Sequence, residues 1–196
     1  MFGAIAYNLT HLFDFKGRDG RSTFWYYVLA IAILRFAIGF GISIPLIGSS
    51  IGNAVDAARS GTVDEQALTA KVVSGMGPWL ETVSYIAVGM SLAMIVLLLA
   101  AFVRRVHDTG NSGWWAAIPL ATQLFSAWFA YSNIGHIGEA LDQAMQNTQS
   151  GAMMPYRGEM AGLGLIGWIG FIVVIGFGLM KSTEGPNEYG DAPVSF

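Results

Sequence analysis

The sequence predicts an all-α polytopic membrane protein with four transmembrane helices and short amphipathic helices in its loops. Four apolar runs of 18 to 24 residues alternate with polar segments. At about 1.5 Å per residue such runs measure roughly 27 to 36 Å, which matches a hydrocarbon core of about 30 Å. Charged residues make up 12% of the 196 positions, about half their share in soluble domains. The predicted spans of this single membrane domain, residues 1–196, are 24–47, 82–103, 114–131 and 161–180.

Composition removes several classes of function. The chain has no cysteine, which excludes disulfides, thiol nucleophiles, iron–sulfur clusters and cysteine zinc sites. Its formal net charge of -3 argues against nucleic acid as a partner, because binding to phosphates needs a basic face. We therefore expect membrane lipids, and a protein partner or a second copy of the chain, as the contacts of this protein. No cofactor and no metal are expected.

The N-terminal segment has helical periodicity. Phe2, Ile5, Leu9 and Leu12 recur at three and four residues, which predicts an interfacial amphipathic helix over about 2–13. A helix that binds a partner is the alternative. The first apolar run that follows is too long for the core of a signal peptide, about 7 to 15 residues, so it is interpreted as a retained span.

The distribution of basic residues predicts the orientation. Six of the ten Lys and Arg residues belong to the two termini and the loop between spans two and three, and three belong to the other loops. By the positive-inside rule both termini are cytoplasmic. The six are Lys16, Arg18, Arg21, Arg104, Arg105 and Lys181, and the three are Arg59, Lys71 and Arg157.

The two outer loops contain helix signals. Thr62 and Glu65 have the spacing of a capping box, and Gly75 is a C-terminal stop, which together predict a short helix before Pro78. In the second loop apolar residues recur over 134–148, so span three is predicted to continue as a helix beyond the bilayer.

Three separated motifs carry a family resemblance. They are FxGRxxRxxFW at 15–25, RRVHDTGNSGWW at 104–115 and EGPNEYG at 184–190. Together they resemble the DUF805 family of bacterial inner-membrane proteins. The resemblance implies a bacterial inner (plasma) membrane location and a molecular role that is unassigned, and it supplies no catalytic residues.

The central motif has a structural and a chemical interpretation. Arg104 and Arg105 end span two, where cations oppose the negative end of the helix dipole, and Ser112 is a candidate N-cap for span three. Alternatively, His107 and Asp108 form a general-base pair or half of a metal site. A catalytic metal site needs about three protein ligands, so the structural interpretation is favoured and no catalytic residue is assigned.

The tail after span four is rich in turn formers, notably Pro186 and Gly190. We expect it to fold back onto the other two motifs, with Glu184, Glu188 and Asp191 as counter-charges. The result is a predicted cytoplasmic polar layer that holds itself, a lipid head group or a protein. Its candidate binding residues are Arg18, Arg21, Arg104, Arg105, His107, Asp108, Asn187 and Tyr189.

One charge lies deep in a predicted span. Arg35 would cost about 2.5 to 3.5 kcal/mol near the bilayer centre, so it should face the helix bundle. The polar or aromatic residues predicted at similar depth are Ser91, Gln123 and Trp168. This group is either a structural polar clasp or a site for a substrate or a partner helix.

Span four is rich in glycine, and Gly164, Gly167 and Gly170 share one region of its helix. Small residues let helices approach closely in lipid. Packing against span one or two is expected, with a homodimer or larger complex as the alternative.

The function predicted from these features is that of a non-enzymatic scaffold or accessory subunit. It would organise protein partners or anionic lipid through the cytoplasmic polar layer. A small transporter or export component is the alternative, and it would need a polar path through the bundle. An intramembrane enzyme comes third.

Overall fold

The computed structural model describes residues 1–60, 65–140, 143 and 158–193, and this part of the chain is helical without named strands. One isolated β-bridge joins Asn187 and Gly190 in the tail. The α-helices are α1 (Phe2–Thr10), α2 (Arg21–Ser60), α3 (Glu65–Asp108), α4 (Ala117–Asn133) and α5 (Gly158–Leu179), with 3₁₀ turns at Gly113–Ala116 and Ile134–His136.

Two helices are long and apolar enough to cross a membrane. They are Arg21–Ser49 within α2, with a mean hydropathy of 2.1, and Gly77–Asp108 within α3, with a mean hydropathy of 2.7. Only 11% and 17% of their most apolar windows are buried, so most of this apolar surface faces outward. Such exposure indicates membrane association rather than the core of a soluble protein. A shorter apolar helix, Leu165–Leu179, lies within α5.

The helices differ in length from those predicted. The helix α3 passes through Gly75 and Pro78 without a break, so the expected stop at Gly75 and the separate short helix are wrong. Thr62 of the proposed capping box lies outside the described residues. Glycine costs about 1 kcal/mol in a helix interior and proline about 3, and a long helix retains the backbone hydrogen bonds of its other turns. The helix α2 likewise continues through Pro45.

Two further helix boundaries can be compared with those predicted from the sequence. The helix α1 ends at Thr10 rather than near residue 13. Helical backbone follows the Ile134–His136 turn over 137–140, as the apolar spacing predicted. Most of the remainder of that predicted helix lies outside the described residues.

The chain divides into two compact units. The first contains 1–35, 89–128 and 158–196, and the second contains 36–88 and 129–157. In the second unit, the rings of Tyr85 and Tyr131 meet edge to face with centroids 6.0 Å apart.

The core of the first unit joins the beginning of α2 to the end of α3. Phe24 and Tyr27 of α2 pack with Phe102 and Val106 of α3, and all four side chains are buried. The Tyr27 hydroxyl donates to the Leu97 carbonyl at 3.1 Å. This packing fixes the last turn of α3, which carries the arginine pair, beside the first turn of α2.

The helix α5 packs against α4 in the same unit. A Cβ at Gly170 would lie 3.0 Å from the Cα of Pro119, and one at Gly167 would lie 2.9 Å from the Ser126 hydroxyl. These glycines therefore face the third predicted span rather than the first or second. Gly178 does approach α2, since a Cβ there would lie 2.7 Å from the Trp25 ring.

Candidate functional site: a buried cluster of arginine and aspartate

Three arginines and two aspartates form a buried cluster in the first unit. Each is at most 5% exposed. Their formal charges sum to +1, so the two carboxylates alone do not neutralise them. We call this group the ion cluster; its members are Arg18, Asp19, Arg104, Arg105 and Asp108.

A tight turn after α3 positions the cluster. The Gly110 amide donates to the His107 carbonyl at 3.0 Å, and Gly110 has a φ of 74°, a conformation that L side chains rarely adopt. A Cβ there would also lie 3.1 Å from the Thr183 methyl of the tail. Ser112 then accepts the Trp114 amide, which confirms it as a cap at the start of the next helical segment.

Asp108 bridges two guanidinium groups. Its Oδ1 accepts from Nε and Nη2 of Arg18 at 3.1 and 3.0 Å. Its Oδ2 accepts from Arg105 Nη1 and from the Ser182 hydroxyl. The Asp108 side chain has no exposed surface, so both oxygens of this carboxylate bind only groups inside the protein among the described residues.

Arg18 also binds the tail. Its Nη1 donates to the Gly185 carbonyl at 2.6 Å, and its Nη2 donates to the Thr183 carbonyl at 2.8 Å. The Thr183 amide in turn donates to the Asp108 carbonyl at 2.9 Å. The tail is therefore joined to the end of α3 through both side chains and backbone.

Arg105 and Trp25 cap the C-terminal end of α5. The last carbonyls of a helix have no partner within it. Arg105 Nε donates to the Phe177 carbonyl at 3.2 Å, and Trp25 Nε1 donates to the Gly178 carbonyl at 3.0 Å. A second nitrogen of Arg105 donates to the Met180 carbonyl. A cation at this position also opposes the negative end of the helix dipole.

Arg104 binds the N-terminal segment. Its Nε donates to Asp19 Oδ1 at 3.1 Å, and its Nη2 donates to Asn8 Oδ1 at 2.7 Å. Its Nη1 donates to the carbonyls of His11, at 2.9 Å, and Asp14. The adjacent arginines thus bind different segments, because neighbouring side chains of a helix point in different directions.

Asp19 differs from Asp108 in being incompletely satisfied. Its amide donates to the Arg104 carbonyl at 3.1 Å, but its Oδ2 is buried without a hydrogen-bond partner in the part of the chain that the structure describes. Burial raises the pKa of the Asp19 carboxyl above its ordinary value, and Arg104 only partly opposes that increase.

The remaining motif residues cover the turn. Asn187 Nδ2 donates to the His107 carbonyl and to the Thr183 hydroxyl, both at 2.9 Å. The rings of His107 and Tyr189 stack in parallel with centroids 4.0 Å apart. The structure therefore brings together seven of the eight candidate binding residues of the polar layer.

The eighth, Arg21, lies outside the cluster. It is exposed, and among the described residues it makes no hydrogen bond or ion pair. The predicted counter-charges Glu184, Glu188 and Asp191 are also exposed. The expectation that they pair with the arginines is wrong, because Asp19 and Asp108 supply the counter-charges and the tail contributes carbonyl and hydroxyl acceptors.

The four residues of the intramembrane group are only partly brought together. Arg35 Nη1 lies 3.5 Å from the Ser91 hydroxyl and 3.3 Å from the Met94 sulfur. Gln123 instead donates to the Gly167 carbonyl at 3.3 Å, and Trp168 is 64% exposed. Arg35 is itself exposed, which differs from the expectation that it faces the bundle.

Sequence reasoning missed several members of the site. They are Asn8, Asp19, Ser182 and Thr183. A signal existed for Asp19, which lies inside the first motif between Arg18 and Gly20. Asn8 had none, since it lies on a helix whose spacing drew attention to its apolar residues.

No group of three or more His, Asp or Glu side chains in the described segments could hold a metal ion. A family model described as protein of unknown function (DUF805) matches residues 12–191. This chain belongs to the DUF805 family. Neither the curated proteins nor the solved structures contain a match to it. The motifs that indicated the family are the ones that supply Arg18, Arg104, Arg105 and Asp108 to the ion cluster.

We predict that Asp108→Asn lowers the melting temperature of the protein in detergent. Removing one partner of a buried ion pair costs about 3 to 5 kcal/mol, because Arg18 and Arg105 are left without a counter-charge. Asp191→Asn is the control, since Asp191 is exposed and surface substitutions change stability by about 0.5 kcal/mol or less. Equal melting temperatures for the two variants would contradict a structural role for Asp108.

We predict a pH dependence that comes from Asp19. Because its pKa is raised, the folded protein binds this proton more tightly than the unfolded chain does, so protonation stabilises the fold. The stability of the wild type relative to Asp19→Asn should therefore decrease as pH rises from about 4 through the raised pKa. Thermal melts of both proteins across this range measure the difference. A difference that grows with pH would indicate a lowered pKa instead.

Proposed function

We propose that this DUF805 protein is a non-enzymatic scaffold or accessory subunit of a bacterial inner membrane. In this proposal four helices span the bilayer and both termini are cytoplasmic. The ion cluster forms the cytoplasmic end, where it holds the N-terminal segment, the turn after α3 and the tail in one rigid layer. Partners and anionic lipid contact the outside of this layer and the exposed faces of the helices.

The observation that carries the proposal is that the ion cluster uses its charges internally. Arg18, Arg104 and Arg105 together bind two carboxylates and carbonyls from three segments. Desolvated guanidinium groups that are already paired offer little to a further ligand. The ion cluster is therefore suited to holding these segments in a fixed arrangement.

The setting of the possible acid–base pair supports a non-enzymatic role. Asp108 accepts from two arginines and a serine, which leaves its carboxylate without a free oxygen for a substrate proton. His107 stacks on Tyr189 rather than pairing with Asp108. A general base must lie within hydrogen-bond reach of the proton it removes. Asp108 has no free oxygen, and the Nδ1 of His107, which has no hydrogen-bond partner among the described residues, is buried.

The proposed topology is tested by cysteine labelling, because the chain has no cysteine of its own. We expect a membrane-impermeant maleimide to label Asp56→Cys and Glu139→Cys in intact cells. Lys16→Cys and Glu184→Cys should react only after permeabilisation. All four positions are exposed in the structure, so access depends on the side of the membrane. The reverse pattern would overturn the orientation.

Arg35 supports a protein partner within the membrane. It lies about midway along the candidate span Arg21–Ser49 and is exposed. Within the described residues its hydrogen bonds are those of one nitrogen to Ser91 and Met94. A guanidinium facing hydrocarbon is costly. A partner helix with a polar acceptor at the same depth would remove that cost, as expected of an accessory subunit.

The partner is sought by native mass spectrometry after gentle extraction from the native membrane. We expect a stoichiometric protein partner with the wild type, its loss with Arg35→Gln, and its retention with Arg59→Gln. Arg59 is an exposed cation elsewhere on α2 and serves as the matched control. A bound small solute without a protein partner would instead favour the transporter alternative.

A further inference from the structure

An open pocket lies beside the ion cluster, between the first turns of α2 and the segment after α5. Its volume is about 760 Å³, and it is open to the outside. Its described lining contains two cations and no carboxylate. The lining residues are Gly20, Arg21, Ser22, Trp25, Tyr26, Lys181, Ser182 and Pro193.

The two cations have no ionic partner within the part of the chain that the structure describes. Arg21 and Lys181 are exposed, and neither makes a hydrogen bond or an ion pair with the rest of the described chain. This separates them from Arg18, Arg104 and Arg105, which donate to Asp108, to Asn8 and to the Met180 carbonyl, respectively. The pocket therefore carries two positive charges, and no group in the described structure neutralises them.

Helix α2 adds to the positive potential of the pocket. The helix begins at Arg21, so the amide groups of its first turn lack intrahelical acceptors and the positive end of its dipole lies at the pocket. An anion that binds Arg21 and Lys181 would meet this helix end as well. Trp25 forms the wall and is fixed by its hydrogen bond to the Gly178 carbonyl.

An apolar track leaves the pocket along α2. Tyr26, Leu29 and Ile33 follow one another at three and four residues, so they share one face of the helix. They are 39%, 50% and 57% exposed. A soluble phosphate or an acidic peptide would make no use of this track, whereas an acyl chain would cover it.

We propose that this pocket binds the head group of an anionic phospholipid. Arg21 and Lys181 contact the phosphate, Trp25 and Tyr26 lie at the boundary between head group and acyl chain, and Leu29 and Ile33 contact the chain. Indole and phenol rings favour this boundary because one end of each is apolar and the other polar. The inference rests on the membrane placement in the proposed function and names the lipid class and its site.

The test is a titration of the purified, full-length protein with phosphatidylglycerol and, separately, with neutral phosphatidylcholine. Native mass spectrometry counts the bound lipid. We expect the wild type to prefer phosphatidylglycerol. Either Arg21→Gln or Lys181→Gln should weaken that binding roughly fivefold, and the double variant roughly 25-fold, because each basic residue near a lipid surface contributes about that factor.

Two sets of variants control the titration. Lys16→Gln removes an exposed cation outside the pocket lining and should bind phosphatidylglycerol as the wild type does. Arg21→Lys keeps the charge and should also retain binding. Since neither pocket cation has a partner among the described residues, the melting temperatures should not change. If the double variant melts early, the comparison of Arg21→Gln with Lys16→Gln decides the outcome, and weaker binding by Arg21→Gln alone supports the site.

Three results would overturn the proposal. They are undiminished phosphatidylglycerol binding by the double variant, an equal loss with Lys16→Gln, and displacement of the lipid by excess inorganic phosphate, which would show that the site takes a soluble anion. The protein partner sought with Arg35→Gln is a separate measurement. A failed lipid titration together with a recovered partner would reject the pocket while leaving the scaffold function intact.

Discussion

The rest of the first unit depends on the bridge that Asp108 makes between Arg18 and Arg105. Three guanidinium groups removed from water have a large desolvation cost, and two carboxylates cannot offset it alone. Each arginine must therefore find carbonyl oxygens as well. The segments that supply them are those whose backbone is not used by regular helix bonds, namely the N-terminal loop, the end of α5 and the tail. Closure of these segments over the end of α3 is thus a requirement of the buried charges.

The end of α5 shows how this requirement serves several elements at once. Its last carbonyls need donors from outside the helix, and Arg105 of α3 and Trp25 of α2 provide them. One side chain therefore caps a helix, opposes its dipole and binds Asp108. Close approach at Gly178 makes the second contact possible, because a larger residue there would meet the Trp25 ring. Electrostatic pairing and tight packing are coupled at this point, so loss of either would loosen both.

Local features of the site could be predicted from the sequence, and features that depend on tertiary packing could not. The cap at Ser112 and the turns at Gly110 and in the tail follow from residues with strong conformational preferences. The continuity of α3 through Pro78 depends instead on a long helix tolerating one lost hydrogen bond. The packing of Gly167 against α4 could not be predicted from the sequence either, since several helices present small residues. Spacing alone also could not show that the tail would bind Arg18 through carbonyls rather than through carboxylates.

The first motif shows why residue type alone does not distinguish buried structural cations from exposed ones. Arg18 and Arg21 are three residues apart, yet Arg18 is buried and Arg21 is exposed. Gly17, which precedes Arg18, has a φ of 87°, so the backbone turns at this point. Arg18 binds Asp108 at the end of α3, and Arg21 is the first residue of α2. Because Arg18 is bound by Asp108 and the tail, Arg21 is the exposed one of the two arginines. Burial of the first arginine therefore fixes the surface on which the second is exposed, and the motif couples assembly of the fold to formation of the pocket that Arg21 lines.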